Sequence, residues 1–495
     1  MKTSLSFRGY SVMKADLDAD QLRYIRRDLT VKPFVLEEYA NTVKPFPIYL
    51  ESEKRLYMPR YYGLKRFGTP AKVSELLTSY DEIDVPFKGK LRPAQEIAVR
   101  HFLDVCPLHK KEPESFVDYQ KGGILSLHTG AGKTVCALNI ISKIKAKTLI
   151  IVHKTFLMNQ WKERITTFLP EARVGTIQQK CVDIEDKDIV IAMLQSISMK
   201  DYPKNTFSSF GLCIIDEAHH LGAEVFSRCL PKIGCEFNLG LSATPQRSDG
   251  LTRVFKWWIG PIVYQLQKRE SMPVNAIQLH INDPHKPYSK EELTVLGKVC
   301  MPRMVNNVCA YSKRTNFIVH LLKLLVKDGR TILVLSGRRQ HLEDIYTTCI
   351  QREAGTVGFY VGGMKQKDLS ESESKNIILG TYSMASEGLD IKQLNTILFA
   401  SPMTNVVQAV GRILRKRHDI TPEIYDLVDN FSSFINQGVK RRRFYCRENY
   451  TVYSPEIACC GDAIETICDL SQLRTNLFEQ KRGRKPKERK CMFLP

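Results

Sequence analysis

The chain has 495 residues and a formal charge of +20, because 73 lysines and arginines face 53 aspartates and glutamates. With 43% hydrophobic and 25% charged residues, the composition is that of a folded protein and excludes a disordered one. No apolar run is long enough to cross a bilayer, and the first 30 residues contain no uninterrupted apolar stretch, so we expect neither a membrane protein nor a secreted one. A basic chain of this length predicts several domains and a polyanionic partner, of which nucleic acid is the commonest.

The fourteen cysteines are predicted to be packing residues rather than a disulfide framework. Cys136 in TVCALNII and Cys213 in GLCIID lie inside apolar runs, as small buried hydrophobes do in a reducing compartment. We therefore expect an intracellular protein. The spacing of the C-terminal cysteines matches no known zinc-ligand pattern and does not predict a metal site. These cysteines are Cys446, Cys459, Cys460 and Cys468.

Residues 1–85 are predicted to form a small α/β domain. Apolar and polar residues alternate in SLSFRGYSV, as in a half-buried strand, whereas DADQLRYIRRDL has helical spacing. The segment FPIYLESEKRLYMPRYYG predicts two strands around a Ser-Glu-Lys turn.

From residue 86 the pattern changes to short apolar strands, each followed by an amphipathic helix. GGILSL precedes TVCALNIISKI, TLIIVHK precedes FLMNQWKERI, and a second series contains TNFIVHLLKLLVKDG, TILVLS, NIILGTY and NTILFAS. Continuous apolar strands joined by helices predict parallel sheets covered on both faces. The fold class is therefore α/β with two tandem parallel-sheet domains. Their predicted limits are 86–270 and 310–435, with a strand-containing connector at 271–309 and a basic extension at 436–495.

The segment LHTGAGKT has the strand–loop–helix context of a phosphate-binding loop and departs from the full consensus at its first position, which is Leu here. Gly130 and Gly132 allow a tight turn that aims main-chain N–H groups at an anion, and the helix N-terminus adds positive potential. Lys133 is expected to reach the β- and γ-phosphates of ATP, and the Thr134 hydroxyl to bind Mg²⁺.

Two adjacent carboxylates end the apolar strand of CIIDEAHH. Asp216 lies 216 − 133 = 83 residues after the loop lysine. Asp216 and Glu217 should emerge at the carboxyl edge of a parallel sheet, where the sites of α/β proteins form. There Asp216 can hold Mg²⁺, and Glu217 can orient and deprotonate an attacking water.

A helix with two arginines on one face is predicted in NVVQAVGRILRKRHD. Gln408, Arg412 and Arg415 lie at i, i+4 and i+7 and so share a face. Two arginines held in this way can stabilise the charge that develops on a γ-phosphate, as arginine fingers do. The opposite, core-facing stripe is formed by Val407, Val410 and Leu414.

Together these segments resemble the superfamily 2 helicases and translocases over roughly residues 88–430. The motifs of that family follow in order along the chain: LRPAQ, HTGAGKT (motif I), IVHKTFLMNQW (Ia), DEAH (II), LSATP (III), TYSMASEGLD (V) and QAVGRILR (VI). The resemblance implies two RecA-like domains with ATP in the cleft between them. Closing and reopening of that cleft during hydrolysis would move a nucleic-acid strand in the 3′→5′ sense.

The resemblance also implies roles for individual residues. The adenine is expected near Arg92 and Gln95, and the ribose near Asp390. The full set of implied nucleotide contacts is Arg92, Gln95, Thr129, Gly130, Ala131, Gly132, Lys133, Thr134, Gly388 and Asp390. Coupling of hydrolysis to domain movement is implied for His219, Ser242 and Thr244. Contacts to the nucleic-acid backbone are implied for Lys154 and Thr381.

Within the superfamily, the chain is similar to the xeroderma pigmentosum B type of repair and transcription helicases. It is also similar to the DNA helicases of large DNA viruses, such as the poxviral transcript-release helicases. The upstream Gln motif and the His-Arg-Ile-Gly-Arg-x-Gly-Arg signature of DEAD-box RNA helicases are missing. SATPQRSDGL resembles the Arg-Glu-Asp element of the first group, with Arg247 and Asp249 in place and Ser248 in the middle.

These resemblances favour DNA over RNA as the partner, in viral transcription, repair or recombination, with transcription machinery as a further candidate partner. A viral member would act in the host cytoplasm or viral factory and could be packaged in the virion. Two other function classes stay open. One is an RNA-directed helicase or duplex-RNA translocase, and the other is an ATP-gated nucleic-acid binding module that does not unwind.

The basic tail at 481–490 carries Arg482 and Arg484 around a glycine, which resembles the core of an AT-hook with one inserted lysine. Such a core would place these arginines in the minor groove of DNA. An unstructured basic tail or a nuclear-import signal explains the same composition.

Overall fold

The computed structural model divides the chain into two compact units, Met1–Lys268 and Arg269–Pro495. The residues that it describes are 2–34, 44–106, 120–128, 130–203, 205–217, 223–243, 250–266, 272–283, 288, 291–294, 297, 299–387, 391, 393–414, 419–458 and 467–478. None of the helices described there combines the length and the apolar character that crossing a membrane requires.

The first unit begins with a small sheet and its helices. The elements are β1 Thr3–Ser6, β2 Gly9–Met13, α1 Ala19–Asp28, β3 Thr30–Val31, β4 Phe46–Pro47, β5 Leu50–Glu51, β6 Arg55–Met58, α2 Arg60–Phe67, β7 Lys72–Val73 and α3 Glu75–Thr78. The order β5-β6-β2-β1-β7 is antiparallel except at the β1–β7 edge. Asp18 caps α1, because its carboxylate accepts a hydrogen bond from Gln21 N at 2.7 Å. The predicted α/β character of this region is confirmed.

The remainder of the first unit is a β/α series. Its elements are α4 Pro93–Asp104, β8 Gly122–Ser126, α5 Lys133–Ile144, β9 Thr148–Val152, α6 Thr155–Phe168, β10 Val174–Gln178, β11 Cys181–Val182, β12 Ile189–Met193, α7 Leu194–Met199, β13 Leu212–Asp216, α8 Ala223–Cys229, β14 Phe237–Ser242, α9 Thr252–Ile259 and β15 Ile262–Gln265. The sheet order is β11-β10-β12-β9-β13-β14-β8-β15, and every pair except β10–β11 is parallel.

The central strands of this sheet are apolar on both faces because both faces are covered. Along β9, Leu149 and Ile151 belong to one buried core, whereas Ile150 and Val152 belong to another. The prediction of a parallel sheet with two covered faces is therefore confirmed. Since parallel strands end at one edge, the loops that follow β8, β13 and β14 emerge side by side.

The N-terminal sheet is attached to the β/α series through α2. Arg60 is buried, and its guanidinium donates hydrogen bonds to Glu236 O at 2.6 Å and to Cys235 O at 2.8 Å. Tyr62 of α2 packs edge-on against Trp257 of α9, with 5.1 Å between the ring centroids. These contacts make residues 1–85 part of the first unit.

The second unit is also a β/α series. Its elements are β16 Asn275–Asn282, α10 Met301–Ala310, α11 Ser312–Lys327, β17 Ile332–Ser336, α12 Arg339–Gln351, β18 Val357–Tyr360, α13 Gln366–Ser372, β19 Ile377–Thr381, α14 Tyr382–Glu387, β20 Thr396–Phe399, α15 Val407–Ile413, β21 Glu423–Asp429, α16 Ser432–Arg447, β22 Thr451–Tyr453 and β23 Glu456–Ala458. The parallel sheet has the order β18-β19-β17-β20-β21-β16-β22, with β23 also beside β16.

Three carboxylates on β21 are fully buried, and each is paired with arginine. Asp429 binds Arg314 with a 2.7 Å contact between Oδ1 and Nε. Asp426 binds Arg441 at 2.7 Å, and Glu423 binds arginines from two other segments, Arg330 and Arg474. Because a buried charge is tolerated only with a partner, these pairs fix the elements around β21 relative to one another.

Two of the predicted segments contribute strands to the second sheet. Residues 271–309, predicted as a connector with a strand, contribute β16, which lies inside the second sheet between β21 and β22. The predicted extension, 436–495, contributes β22 and β23 to the same sheet. The five-part division itself stays a prediction.

Candidate functional site

The predicted phosphate-binding loop connects β8 to α5 in the first unit. Gly130 and Gly132 have φ values of +84° and +88°, in the left-handed region that glycine adopts without strain. Lys133 is the first residue of α5, so its side chain and the free N–H groups of the first helical turn belong to the same corner of the molecule. A helix N-terminus and an amine are the groups that attract a phosphate group.

Two side chains of the LRPAQ segment donate hydrogen bonds to the backbone of the phosphate-binding loop. Gln95 Nε2 donates a hydrogen bond to Ala131 O at 2.9 Å, and Arg92 Nη2 donates to the same oxygen at 2.6 Å. A Cβ atom on Gly132 would lie 2.2 Å from Gln95 Nε2, so the Gln95 side chain would have to leave its observed position. Both residues thus contact the loop backbone, and their implied role at the adenine stays a prediction.

Asp216 and Glu217 lie at the carboxyl end of β13, as predicted. Lys133 Nζ is 2.5 Å from Glu217 Oε1, and both side chains are largely buried. Glu217 has a φ of +48°, an uncommon conformation for a residue with a side chain, and it turns the chain as the strand ends. The predicted phosphate-binding amine and the predicted general base therefore form one ion pair.

Asp216 occupies the most buried position of the site. Burial raises the pKa of its carboxyl group from an ordinary value of 3.8 to about 6, and the neighbouring charge of Glu217 acts in the same direction. The Lys133 amine, a hydrogen bond from Trp161 and His153 oppose this increase. Trp161 Nε1 donates to Asp216 Oδ2 at 2.9 Å. Trp161 ends the IVHKTFLMNQW segment, and that segment alone predicts no role for it.

The oxygen atoms at this corner fit a hard cation such as Mg²⁺. The Asp216 carboxylate lies at the end of β13, and the Thr134 hydroxyl lies in the first turn of α5. Carboxylate and hydroxyl oxygens are ligands that Mg²⁺ accepts alongside phosphate oxygens and water. Within the described ranges, no group of three or more His, Cys, Asp or Glu side chains is arranged to hold a metal ion by itself.

Two further predicted residues of the first unit lie on the loop edge of the sheet. Ser242 ends β14 and is buried, and its carbonyl oxygen accepts a hydrogen bond from Leu127 N at 3.0 Å. Lys154 is the residue before α6 and is partly exposed. Thr129, His219 and Thr244 lie outside the described residues.

In the second unit, Arg412 is held by a main-chain group. Its Nε donates to Ala385 O of α14 at 2.7 Å, and only 5% of the residue is exposed. Gln408 lies four residues earlier on α15, which ends at Ile413. Of the predicted apolar stripe, Val410 and Leu414 are buried and Val407 is partly exposed.

The other predicted positions of the second unit divide into two groups. Thr381 ends β19, and its hydroxyl is 3.2 Å from that of Ser383. The positions outside the described residues are Gly388, Asp390, Arg415, Cys459, Cys460, Arg482 and Arg484. Cys446 is partly buried and Cys468 is exposed.

Comparison with known families matches a part of each unit to one family model. Residues 88–247 match "Type III restriction enzyme, res subunit", and residues 313–417 match "Helicase conserved C-terminal domain". The first match contains the phosphate loop and the carboxylate pair, and the second contains Arg412.

Viral proteins are similar along most of the chain. One relative, from Acanthamoeba polyphaga mimivirus, is named as an ATP-dependent RNA helicase (L396). It is 35% identical to this chain over 464 residues, which cover 91% of this chain and 86% of the relative. A protein of Invertebrate iridescent virus 6 with a helicase name (161L) is 28% identical, covering 75% of this chain and 84% of the relative.

Among solved structures, a fragment described as an HsdR subunit of a type I restriction enzyme from Vibrio vulnificus YJ016 aligns with a TM-score of 0.51. It is 20% identical and covers 76% of this chain and 70% of its own. The two chains therefore share their fold.

Proposed function

Since the chain belongs to the superfamily 2 helicases and is a nucleic-acid-dependent ATPase, we propose that its nucleic-acid substrate is DNA and that hydrolysis is performed by the corner formed by Lys133, Asp216 and Glu217. The observation that carries this assignment is the ion pair of Lys133 and Glu217 beside the buried Asp216 carboxylate. A phosphate-binding cation at the start of α5 and a base for water directly after β13 are thereby held together.

Each residue of the corner has a separate role in the hydrolysis of ATP. The triphosphate competes with Glu217 for the Lys133 amine, and this frees the carboxylate to orient a water molecule. Glu217 accepts a proton from that water as its oxygen attacks the γ-phosphorus and the bond to ADP breaks. Asp216 and Thr134 would hold Mg²⁺, which supplies positive charge to the phosphate oxygens. Gln95 and Arg92 keep the loop in shape.

DNA is favoured by the similarity of the 242–251 segment to repair and transcription helicases of the xeroderma pigmentosum B type and by the organisation shared with the DNA helicases of large DNA viruses. Movement in the 3′→5′ sense is part of the same proposal. RNA is the second candidate, and the RNA helicase name of the mimivirus relative favours it. An intracellular, reducing location stays a prediction.

Strand displacement distinguishes the two substrates. Forked duplexes of identical sequence are prepared as DNA and as RNA, each with either a 3′ or a 5′ single-stranded tail. We expect ATP-dependent displacement of the 3′-tailed DNA and none with the Glu217→Gln variant. Displacement of RNA forks alone would replace DNA by RNA. Binding of every fork with no displacement would favour the non-unwinding module.

A further inference from the structure

Three helices of the first unit, α1, α2 and α9, carry a surface of basic and aromatic side chains on segments that are separate in sequence from the phosphate loop. Exposed cations surround two aromatic rings on this surface. This basic–aromatic surface consists of Arg23, Tyr24, Arg27, Lys65, Arg66, Arg253, Lys256 and Trp257.

Tyr24 is the centre of one half of the surface. It is 45% exposed, and two guanidinium groups lie over its ring. The Cζ atom of Arg66 is 4.6 Å from the ring centroid, and that of Arg27 is 5.6 Å away. Contacts of this length are cation–π interactions, which restrict where each guanidinium can lie.

Trp257 organises the other half in the same way. Arg253 Cζ lies 5.2 Å from the Trp257 ring centroid. Trp257 in turn packs edge-on against Tyr62 of α2, and Arg253 lies 3.7 Å from Asp28 of α1. The three helices thus meet at one continuous surface.

The charge of this surface is strongly unbalanced. Six exposed cations contribute to it, whereas among the described residues their acidic ion-pair partners are Asp20, which pairs with Arg23, and Asp28, which pairs with Arg253. Flat guanidinium groups that rings hold in place lose less conformational freedom when they bind a planar or tetrahedral anion. Phosphodiester groups repeated along a strand are the anions that such a spaced set of cations matches.

We propose that the basic–aromatic surface binds the phosphate backbone of the nucleic-acid strand on which the enzyme acts, so that residues 1–85 serve as a substrate-binding part of the first unit. The inference rests on the proposed function. The surface is firmly joined to the ATP-binding sheet, because Trp258 and Ile259 of α9 share a buried core with Ile124 of β8. Strand binding and the phosphate loop therefore act within one rigid unit.

The test compares two triple variants of the full chain. Arg27→Ala/Arg66→Ala/Arg253→Ala removes three cations of the surface. Lys72→Ala/Lys143→Ala/Lys180→Ala removes three exposed cations of the same unit that contact no ring among the interactions described. Equilibrium binding to a fluorescein-labelled single strand of DNA, and separately of RNA, is measured over a range of salt concentrations. Circular dichroism verifies that each variant is folded.

The arginine triple is expected to weaken binding by about 10- to 100-fold and to reduce the slope of log Kd against log salt by roughly 2 to 3, as three lost phosphate contacts would. The lysine triple should bind within about twofold of the unchanged protein if its side chains make no phosphate contact. Equal affinity and slope for the arginine triple and the unchanged protein would overturn the inference, and so would an equal loss in both triples.

ATP turnover without nucleic acid is measured in the same preparations and should be the same in the arginine triple and the unchanged protein. If the unchanged protein hydrolyses ATP and the arginine triple keeps full affinity, the inference fails while the proposed function stands. If the unchanged protein hydrolyses no ATP even when DNA or RNA is added, the proposed function fails. A third variant, Arg27→Lys/Arg66→Lys/Arg253→Lys, keeps the charge but not the flat group. It should retain the salt slope with an affinity loss of about three- to tenfold.

Discussion

Lys133 Nζ and Glu217 Oε1 lie 2.5 Å apart, so the amine expected to bind phosphate and the carboxylate expected to activate water neutralise each other. The pair connects the first turn of α5 to the residue after β13, and its two members are 84 residues apart in sequence. Substrate phosphates must displace Glu217 from Lys133, which links binding of ATP to release of the base.

Each partner of this pair has a separable effect on hydrolysis. Lys133→Ala should abolish turnover and weaken ATP binding, because the phosphates lose their cation. Glu217→Gln should abolish turnover while nucleotide still binds, because only the base is lost. Turnover and binding of a fluorescent ATP analogue separate the two results. Lys143→Ala, on the same helix but exposed, is the control, and unimpaired turnover in either site variant would refute the assignment.

The pH dependence of the reaction should report Asp216. The pKa of its carboxyl group is raised from 3.8 to about 6, so the group is anionic above that pH and neutral below it. A neutral carboxyl group binds Mg²⁺ poorly. We therefore expect kcat/KM for ATP to fall about tenfold per pH unit below pH 6. Additional Mg²⁺ should move the inflection to lower pH, and an inflection that ignores the Mg²⁺ concentration would point to another group.

The raised pKa of Asp216 affects stability in the opposite direction from activity. Because the native state binds the Asp216 proton more tightly than the unfolded chain does, the contribution of this group to the free energy of unfolding increases as the pH falls from about 6 towards 4.

Trp161 should tune that inflection. Its indole N–H donates to the Asp216 carboxylate and so stabilises the anion. Trp161→Phe removes the donor and should raise the pKa, moving the acid limb of the kcat/KM profile to higher pH. The smaller ring should also cost about 1–3 kcal/mol of stability, which a urea titration measures. An acid limb that stays in place or moves to lower pH would show that the indole does not act on Asp216.

Gly132 and Gln95 test whether the loop must keep its observed shape. Gly132→Ala places a Cβ atom 2.2 Å from Gln95 Nε2 and leaves a side chain at a φ of +88°. We expect ATP affinity to fall at least tenfold. Gln95→Ala removes the bond to Ala131 O and the bond that Gln95 Oε1 accepts from Arg92 N, and it should raise KM for ATP by a few-fold. Adding Gln95→Ala to Gly132→Ala relieves the clash but not the backbone strain, so affinity should recover in part. Full recovery would mean that φ is unimportant there.

The local features of this molecule could be predicted from the sequence, whereas contacts between residues that are distant in sequence could not. The apolar strand, the glycines and the helix that follow one another at 122–144 specify the loop by themselves, and the end of β13 places Asp216 and Glu217. The Trp161–Asp216 bond could not be predicted, because it depends on how α6 packs over the sheet, 55 residues away in sequence.

The strand predicted within 271–309 is β16, and its place inside the second sheet could not be predicted from its own residues. Its polar side chains have partners there: Gln278 donates to Asp426 at 2.9 Å, and His280 lies 2.9 Å from the Ser454 hydroxyl. A pattern of hydrophobicity does not reveal partners that lie 148 and 174 residues away.

Arg412 carries the prediction made for the second unit. Arg412→Ala should leave ATP binding nearly intact and lower turnover by the roughly 10³–10⁵-fold attributed to arginine fingers. Because Arg412 is buried and bonded to Ala385 O, Arg412→Lys serves as a variant that keeps a charge with less disturbance of packing. Arg339→Ala, exposed in the same unit, is the control. Wild-type turnover in both Arg412 variants would show that motif VI was misassigned.

ATP hydrolysis by the purified protein tests the site and the substrate together when it is measured alone and with single-stranded DNA, duplex DNA or RNA, with Lys133→Ala as the blank. We expect turnover that DNA stimulates strongly and RNA stimulates little, and no turnover in the blank. Stimulation by RNA alone would contradict the proposed substrate. Turnover that survives in the Lys133→Ala protein would contradict the assigned site.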